Sequence, residues 1–354
     1  MSAISEIGGH WMDGAIRTLD AIKNGFGAPA QDPPAATPYR VIYEGGKVSL
    51  RHYPAQGPAH HTPLLLIYSL IKRPFILDLL PGRSVIETLV KQGFDVYLID
   101  WIPPTASDKW RGFDAYVNHD MANAVRAVQI HSGVEQISII GYCFGALLSL
   151  MYTALHQRSI RNLVTLTIPL DMSVREIPIE KISSAMSAQS ARLIAQMYGN
   201  VPASMMFSFF NSLAPTHHML DKFVGRYRSS ERKGYPETFR LFEQWLHSDV
   251  PMAGQIFLET ANDLGRDNAL VKGAMKVGSE TVDLKRVTAP LLNVIGDFDD
   301  IVNPNSSVCL PELVASADKC NLHYPTGHMG AAISQDSLKK LWPAIGAWLS
   351  ERDI

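Results

Sequence analysis

Cysteine is scarce in this chain: there are three, Cys143, Cys309 and Cys320, in 354 residues. They are too few and too scattered for a disulfide framework or a zinc site, which suits a reducing compartment. Long apolar runs are also missing, and none reaches the ~20 residues that span a bilayer, so no transmembrane segment is expected. The first residues lack the charged start and apolar stretch of a signal peptide, which points to the cytoplasm. Neither sign of charge dominates: a formal net charge of −2 gives no electrostatic case for a nucleic-acid partner. Apolar residues, at 46%, are plentiful enough for a full core plus one sizeable insertion.

One of the three cysteines stands in a telling place. In QISIIGYCFGALLSL an apolar run, Ile137 to Ile140, ends at Gly141, Cys143 follows two residues later, and Gly145-Ala146 opens a helix-forming run. The pattern predicts a strand, a sharp turn and a helix, with small residues at 141 and 145 where the backbones pass close to a strained nucleophile. The helix beginning near Phe144 would point its free N–H groups at Cys143, favouring thiolate and a developing oxyanion. A buried structural cysteine is the plainer reading of such a residue. Two later segments favour the chemical one. APLLNVIGDFDDIVNP reads as a strand from Pro290 to Ile295 running into an acidic turn, and KCNLHYPTGHMGAA as a strand from Lys319 to Tyr324 followed by Gly327-His328-Met329-Gly330. Nucleophile, acid and histidine then follow in the order of an α/β-hydrolase triad.

Strands are expected near 41–43, 48–53, 64–68, 95–99, 136–140 and 163–168, with helices between the later ones, so the fold class is α/β with a mostly parallel, two-sided sheet. From Met172 to Lys285 the alternation stops, and a methionine- and aromatic-rich, mostly helical insertion is predicted as a lid. Its Met197, Met205, Met206, Phe207, Phe209 and Phe210 read as core or as an adaptable acyl-chain lining, and the His217-His218 pair as a surface feature, not a metal site. Trp11, Met12, Ala15, Ile16, Leu19, Ile22 and Phe26 recur at helical spacing, so residues 10–26 form an amphipathic helix that packs on the body or docks on a partner or a hydrophobic inclusion. The expected organisation is a leader with a Pro/Ala linker (1–38), a first half of the core (39–171), the lid (172–285) and the returning core (286–354).

Taken together, GxCxG, GxxDxIVxP, GHxG and the segment LLLIYSLIKRPFILDLLPGRSVIETLVKQGFDVYLIDW resemble the polyhydroxyalkanoate synthases, most of all the short catalytic subunits of the two-subunit type. The resemblance runs from about Tyr39 to the C-terminal helix, and is most specific at Arg73–Leu79, Asp95–Trp101, Asn162–Met172 and Leu270–Val294. It implies Cys143 as nucleophile, His328 as general base and Asp299 as the triad carboxylate. It further implies an oxyanion hole from Phe144 with Leu70 or Ile71, a 3-hydroxyacyl coenzyme A substrate, a growing polyester and granule surface, a second synthase subunit, a homodimer, and no cofactor or metal. Lys72 and Arg73 are candidates for coenzyme A phosphate contacts. Two positions depart from the family pattern: Ala146 where a second glycine is usual, and Asp300 where histidine is usual. The second leaves the acid open among Asp297, Asp299 and Asp300, with Asp299 favoured by its place in GxxD, and gives Asp300 a route to raise the His328 pKa. The alternatives are a thioesterase, esterase or small-molecule acyltransferase using the same site, and a non-catalytic granule- or partner-binding protein.

Overall fold

Four strands of this chain are buried at every position, as strands of a sheet covered on both faces are. They are β3 (Leu64–Ile67), β4 (Val96–Trp101), β5 (Ile137–Tyr142) and β7 (Leu291–Gly296). With β1 (Arg40–Gly45), β2 (Val48–Tyr53), β6 (Ile160–Leu166) and β8 (Lys319–Tyr324) they form one eight-stranded sheet in the order β1-β2-β4-β3-β5-β6-β7-β8. The computed structural model describes residues 32–176, 186–213 and 235–353, without the side chains of residues 210–213, 235 and 236. The expected helix over 10–26, the start of the Pro/Ala linker, His217, His218 and the side chain of Phe210 lie outside the described residues.

β1 and β2 pair antiparallel at one edge, β2 runs antiparallel to β4, and all later neighbours are parallel. α1 (Val85–Lys91), α2 (Ala122–Ser132), α3 (Phe144–Leu155) and a C-terminal helix, Trp342–Ser350, cover the faces. Two apolar clusters result, one per face: Leu65, Ile139, Leu147 and Leu291 share the first, and Leu66, Ile140, Trp342 and Val294 the second. Each fully buried leucine or isoleucine contributes about 1.5–3 kcal/mol, so the sheet is a rigid platform for whatever its C-terminal edge carries.

The insertion between β6 and β7 is largely helical where it is described: α4 (Ala188–Tyr198), α5 (Ala203–Leu213), α6 (Tyr235–Leu246) and α7 (Gly254–Glu259). Strand structure returns earlier than the sequence suggests, in a small ribbon of Lys276–Val277 with Glu280–Thr281. A second ribbon, Asp78–Leu80 with Arg83–Ser84, follows β3 and has no strand signature in the sequence. Met206 is buried and Met205 half-buried on the first cluster, whereas Met197 is exposed. Among the described residues no helix is long and apolar enough to cross a membrane.

Candidate active site

Cys143 sits between β5 and α3 with φ 57° and ψ −122°, a backbone conformation that side chains other than glycine rarely adopt. Its N–H donates to Leu166 O of β6 at 2.9 Å, which fixes the turn to the neighbouring strand. The glycines on either side are required by close approach. A Cβ on Gly141 would lie 2.5 Å from Ala146 Cα, and one on Gly145 2.1 Å from Ile67 O at the end of β3. Phe144 is the first residue of α3, so its N–H has no carbonyl of its own helix to pair with and faces the same side as the dipole's positive end. Ala146 is fully buried, its methyl absorbed by the first apolar cluster.

Two loops bring an imidazole and a carboxylate to this turn. Asp299, just after β7, accepts from the N–H groups of Ile301 (2.9 Å) and Val302 (2.8 Å) with Oδ1, which leaves Oδ2 for His328 Nδ1 at 2.7 Å. Both side chains are buried, His328 to 6% and Asp299 to 1% exposure. Nδ1 is thus engaged, which leaves Nε2 as the ring nitrogen available to Cys143, whose charge acts on the imidazole. Burial alone would pull His328 down, but the charges of Asp299 and Cys143 more than offset it and hold the imidazolium well above its usual range. Asp297 turns away to His323 Nδ1 at 2.8 Å on the surface. Of the carboxylates in this turn, Asp299 is the one that meets His328, and the charges that raise the imidazole are those of Asp299 and Cys143.

Two tyrosines that sequence reading passed over complete the surroundings. Tyr142 donates its hydroxyl to His328 O and its ring lies 5.5 Å from the imidazole; Tyr68 packs edge-on to Tyr142 at 5.4 Å. Burial pushes both phenols well above their usual range, with Cys143 adding to each, so Tyr142 is a permanent donor holding the backbone of the histidine loop. Tyr142 adjoins the cysteine in sequence, which was the available signal; the contact to His328, across 186 positions, was not readable.

The loop after β3 passes over the nucleophile turn, since a Cβ on Gly145 would also meet Tyr68 O at 2.8 Å. Leu70 and Ile71 are buried there. The Ile71 N–H makes a long contact to Ser69 Oγ at 3.5 Å, whereas the Leu70 N–H has no hydrogen-bond partner among the described residues. Lys72 and Arg73 correct the expectation of coenzyme A contacts. Lys72 Nζ is buried against Asp249 Oδ2 at 2.6 Å, and Arg73 reaches Asp100 Oδ2 and Trp101 O, both at 3.2 Å. The protein uses these two cations internally, so neither is a solvated phosphate ligand.

Residues 62–331 match the family model of the alpha/beta hydrolase fold. The poly(3-hydroxyalkanoate) polymerase subunit PhaC of Allochromatium vinosum is 33% identical over 344 residues, 96% of this chain and 96% of that protein. The chain belongs to this polymerase family. Subunit PhaC of Haloarcula marismortui is 34% identical over 324 residues, 89% of this chain and 68% of that protein. Among solved structures, the monoacylglycerol lipase of Paleococcus ferrophilus superposes with a TM-score of 0.57 at 15% identity, over 86% of this chain and 99% of that one, a likeness of fold alone. Family and fold therefore separate: the lipase shares the sheet, while the polymerases share the sequence across nearly the whole chain.

Proposed function

We propose that this chain is a polyhydroxyalkanoate synthase that polymerises 3-hydroxyacyl coenzyme A, of short chain such as 3-hydroxybutyryl, through a covalent thioester on Cys143. The observation that carries the reading is His328 Nδ1 held by Asp299 Oδ2 at 2.7 Å, with Cys143 on the strained turn close enough for its charge to act on the same ring, in a chain related to the polymerases. His328, oriented by Asp299, takes the thiol proton, and the sulfur attacks the thioester carbonyl. The oxyanion forms opposite the N–H groups of Phe144 and Leu70. The bond to coenzyme A then breaks, and the leaving thiolate takes the proton from His328. In the second half, His328 accepts the 3-hydroxyl proton of another substrate as its oxygen attacks the acyl-enzyme, forming an ester and returning Cys143. Cysteine suits this cycle because a thioester exchanges with a thioester at little thermodynamic cost.

The lining of the helical insertion, acting as a lid, would hold the acyl chain, and a second subunit, a homodimer and a granule surface are the assemblies this reading expects. The test is incubation with 3-hydroxybutyryl coenzyme A, alone and with candidate partner subunits, following thiol release and separating polymer from free acid. Polymer that disappears in Cys143→Ala is the expected result. Thiol release that yields only free acid would replace this reading with a thioesterase.

A further inference from the structure

One of the buried polar contacts between insertion and core adjoins the oxyanion loop. The Val250 N–H donates to Ile71 O at 3.3 Å, and Lys72 pairs with Asp249 in an isolated antiparallel bridge. Lys72 Nζ donates to Asp249 Oδ2 and to Leu246 O, each at 2.6 Å, and lies 5.1 Å from the centre of the Trp245 ring. Trp245 Nε1 donates to Arg73 O at 3.0 Å. The loop is fastened from the core side too, by Trp101 Nε1 to Tyr68 O at 3.0 Å. Residues 68–73 are thus held between sheet and insertion, with their carbonyls and one ammonium as the attachment points.

Stability alone is a poor reason for the ion pair. Lys72 and Asp249 side chains are 13% and 3% exposed, and a pair this buried gives back in desolvation much of what attraction supplies, so apolar groups of similar volume often do as well. Burial pulls the Lys72 ammonium down and pushes Asp249 up, each opposed by the other's charge. Asp249 Oδ1 has no hydrogen-bond partner among the described residues, so Lys72 is its principal counter-charge. What the pair supplies is direction: a single seat for the backbone two residues beyond the Leu70 N–H.

We propose that Lys72 and Asp249 are positioning residues for the oxyanion hole, setting the loop of residues 68–73 so that the Leu70 N–H meets the acyl oxygen when Cys143 attacks. This rests on the proposed role of Cys143 as an acyl acceptor, but not on polymerisation. The test compares two reactions of the same sulfur: alkylation by iodoacetamide, a direct displacement that develops no oxyanion, and the nitrophenolate burst from p-nitrophenyl butyrate, which does. Lys72→Met strands a buried carboxylate and threatens the fold, so the double variant Lys72→Met/Asp249→Leu is the decisive one. It should melt like the wild type and alkylate at the wild-type rate, with the burst slowed about a hundredfold and little change in KM. A burst within about threefold of wild type, a parallel loss of burst and alkylation, or no burst from the wild type would each overturn the proposal. A wild type that bursts but makes no polymer from 3-hydroxybutyryl coenzyme A would instead remove the polymerase reading and leave this one standing.

Discussion

At the residue scale, the three cysteines separate by surroundings. Burial pushes the Cys309 and Cys320 thiols up, with Asp171 and Asp318 respectively adding to it, and neither has an imidazole partner among the described residues. Cys143 instead lies beside His328, whose charged form Asp299 favours. Iodoacetamide at pH 7 should therefore label Cys143 first, read by peptide mapping. Asp299→Asn should slow that labelling and lower turnover by roughly 10³–10⁴-fold, because the imidazole loses both its orienting acceptor and the charge that favours its protonation. Preferential labelling of Cys309 or Cys320 would refute the assignment. The same shift has a stability consequence. The folded-state value of His328 is raised, so its contribution is fully present below about pH 6.5 and is lost as pH rises through the folded value. The gap in melting temperature between wild type and His328→Gln should therefore narrow from about pH 6 towards pH 9; a gap that widens would contradict the direction of the shift. That Cys143, His328 and Asp299 would lie near one another was legible in the sequence, because each follows a strand with small residues around it. Lys72 was misread because its partner, Asp249, is 177 positions away and no local pattern announces a buried ion pair at that separation.

At the element scale, β2 and β8 stand where their sequence pattern puts them, while β6 begins at Ile160, earlier than its apolar run suggests. The reason is Asn162, fully buried and donating to Ser138 Oγ at 2.9 Å, so that a polar residue extends the strand by pairing across the sheet. The ribbon of Asp78–Leu80 was unreadable for a related reason: Asp78 is held by Thr37 and Ser84, a tertiary arrangement without local periodicity. The junction of β5 and α3 gives a pair of opposed mutations. Ala146→Gly removes a buried methyl and adds backbone freedom, costing about 1–2 kcal/mol with the burst rate unchanged. Gly145→Ala would drive a methyl to within 2.1 Å of Ile67 O, and backbone cannot step aside as a flexible side chain can. Its burst should fall at least about a hundredfold. Equal effects of the two on melting and on the burst would show that the turn tolerates volume, contrary to its geometry.

At the scale of the whole molecule, the acyl-enzyme proposed at Cys143 would end as polyester or as free acid according to how well water is excluded. α6 buries Leu241, Phe242, Trp245 and Leu246 in the cluster that also holds Phe75, Leu77, Met329 and Ala331, so the insertion shares its core with the residue beside His328. Phe242 is 2% exposed and stacks at 5.9 Å on Trp245, the residue whose indole holds Arg73 O. Replacing Phe242 with alanine removes a buried ring worth about 3–5 kcal/mol, and the loss falls on the seat of the insertion, not on the sheet that carries Cys143. Water should then reach the thioester more often than a second hydroxyacyl group does. Phe242→Ala is expected to release coenzyme A at a rate near that of the wild type while a larger share of product appears as free 3-hydroxy acid. Chromatographic separation of polymer from acid at matched thiol release measures that share directly. An unchanged share, in a variant whose melting temperature has fallen, would mean that the insertion does not govern access of water to the acyl-enzyme, and that the choice between synthesis and hydrolysis is made at the turn itself.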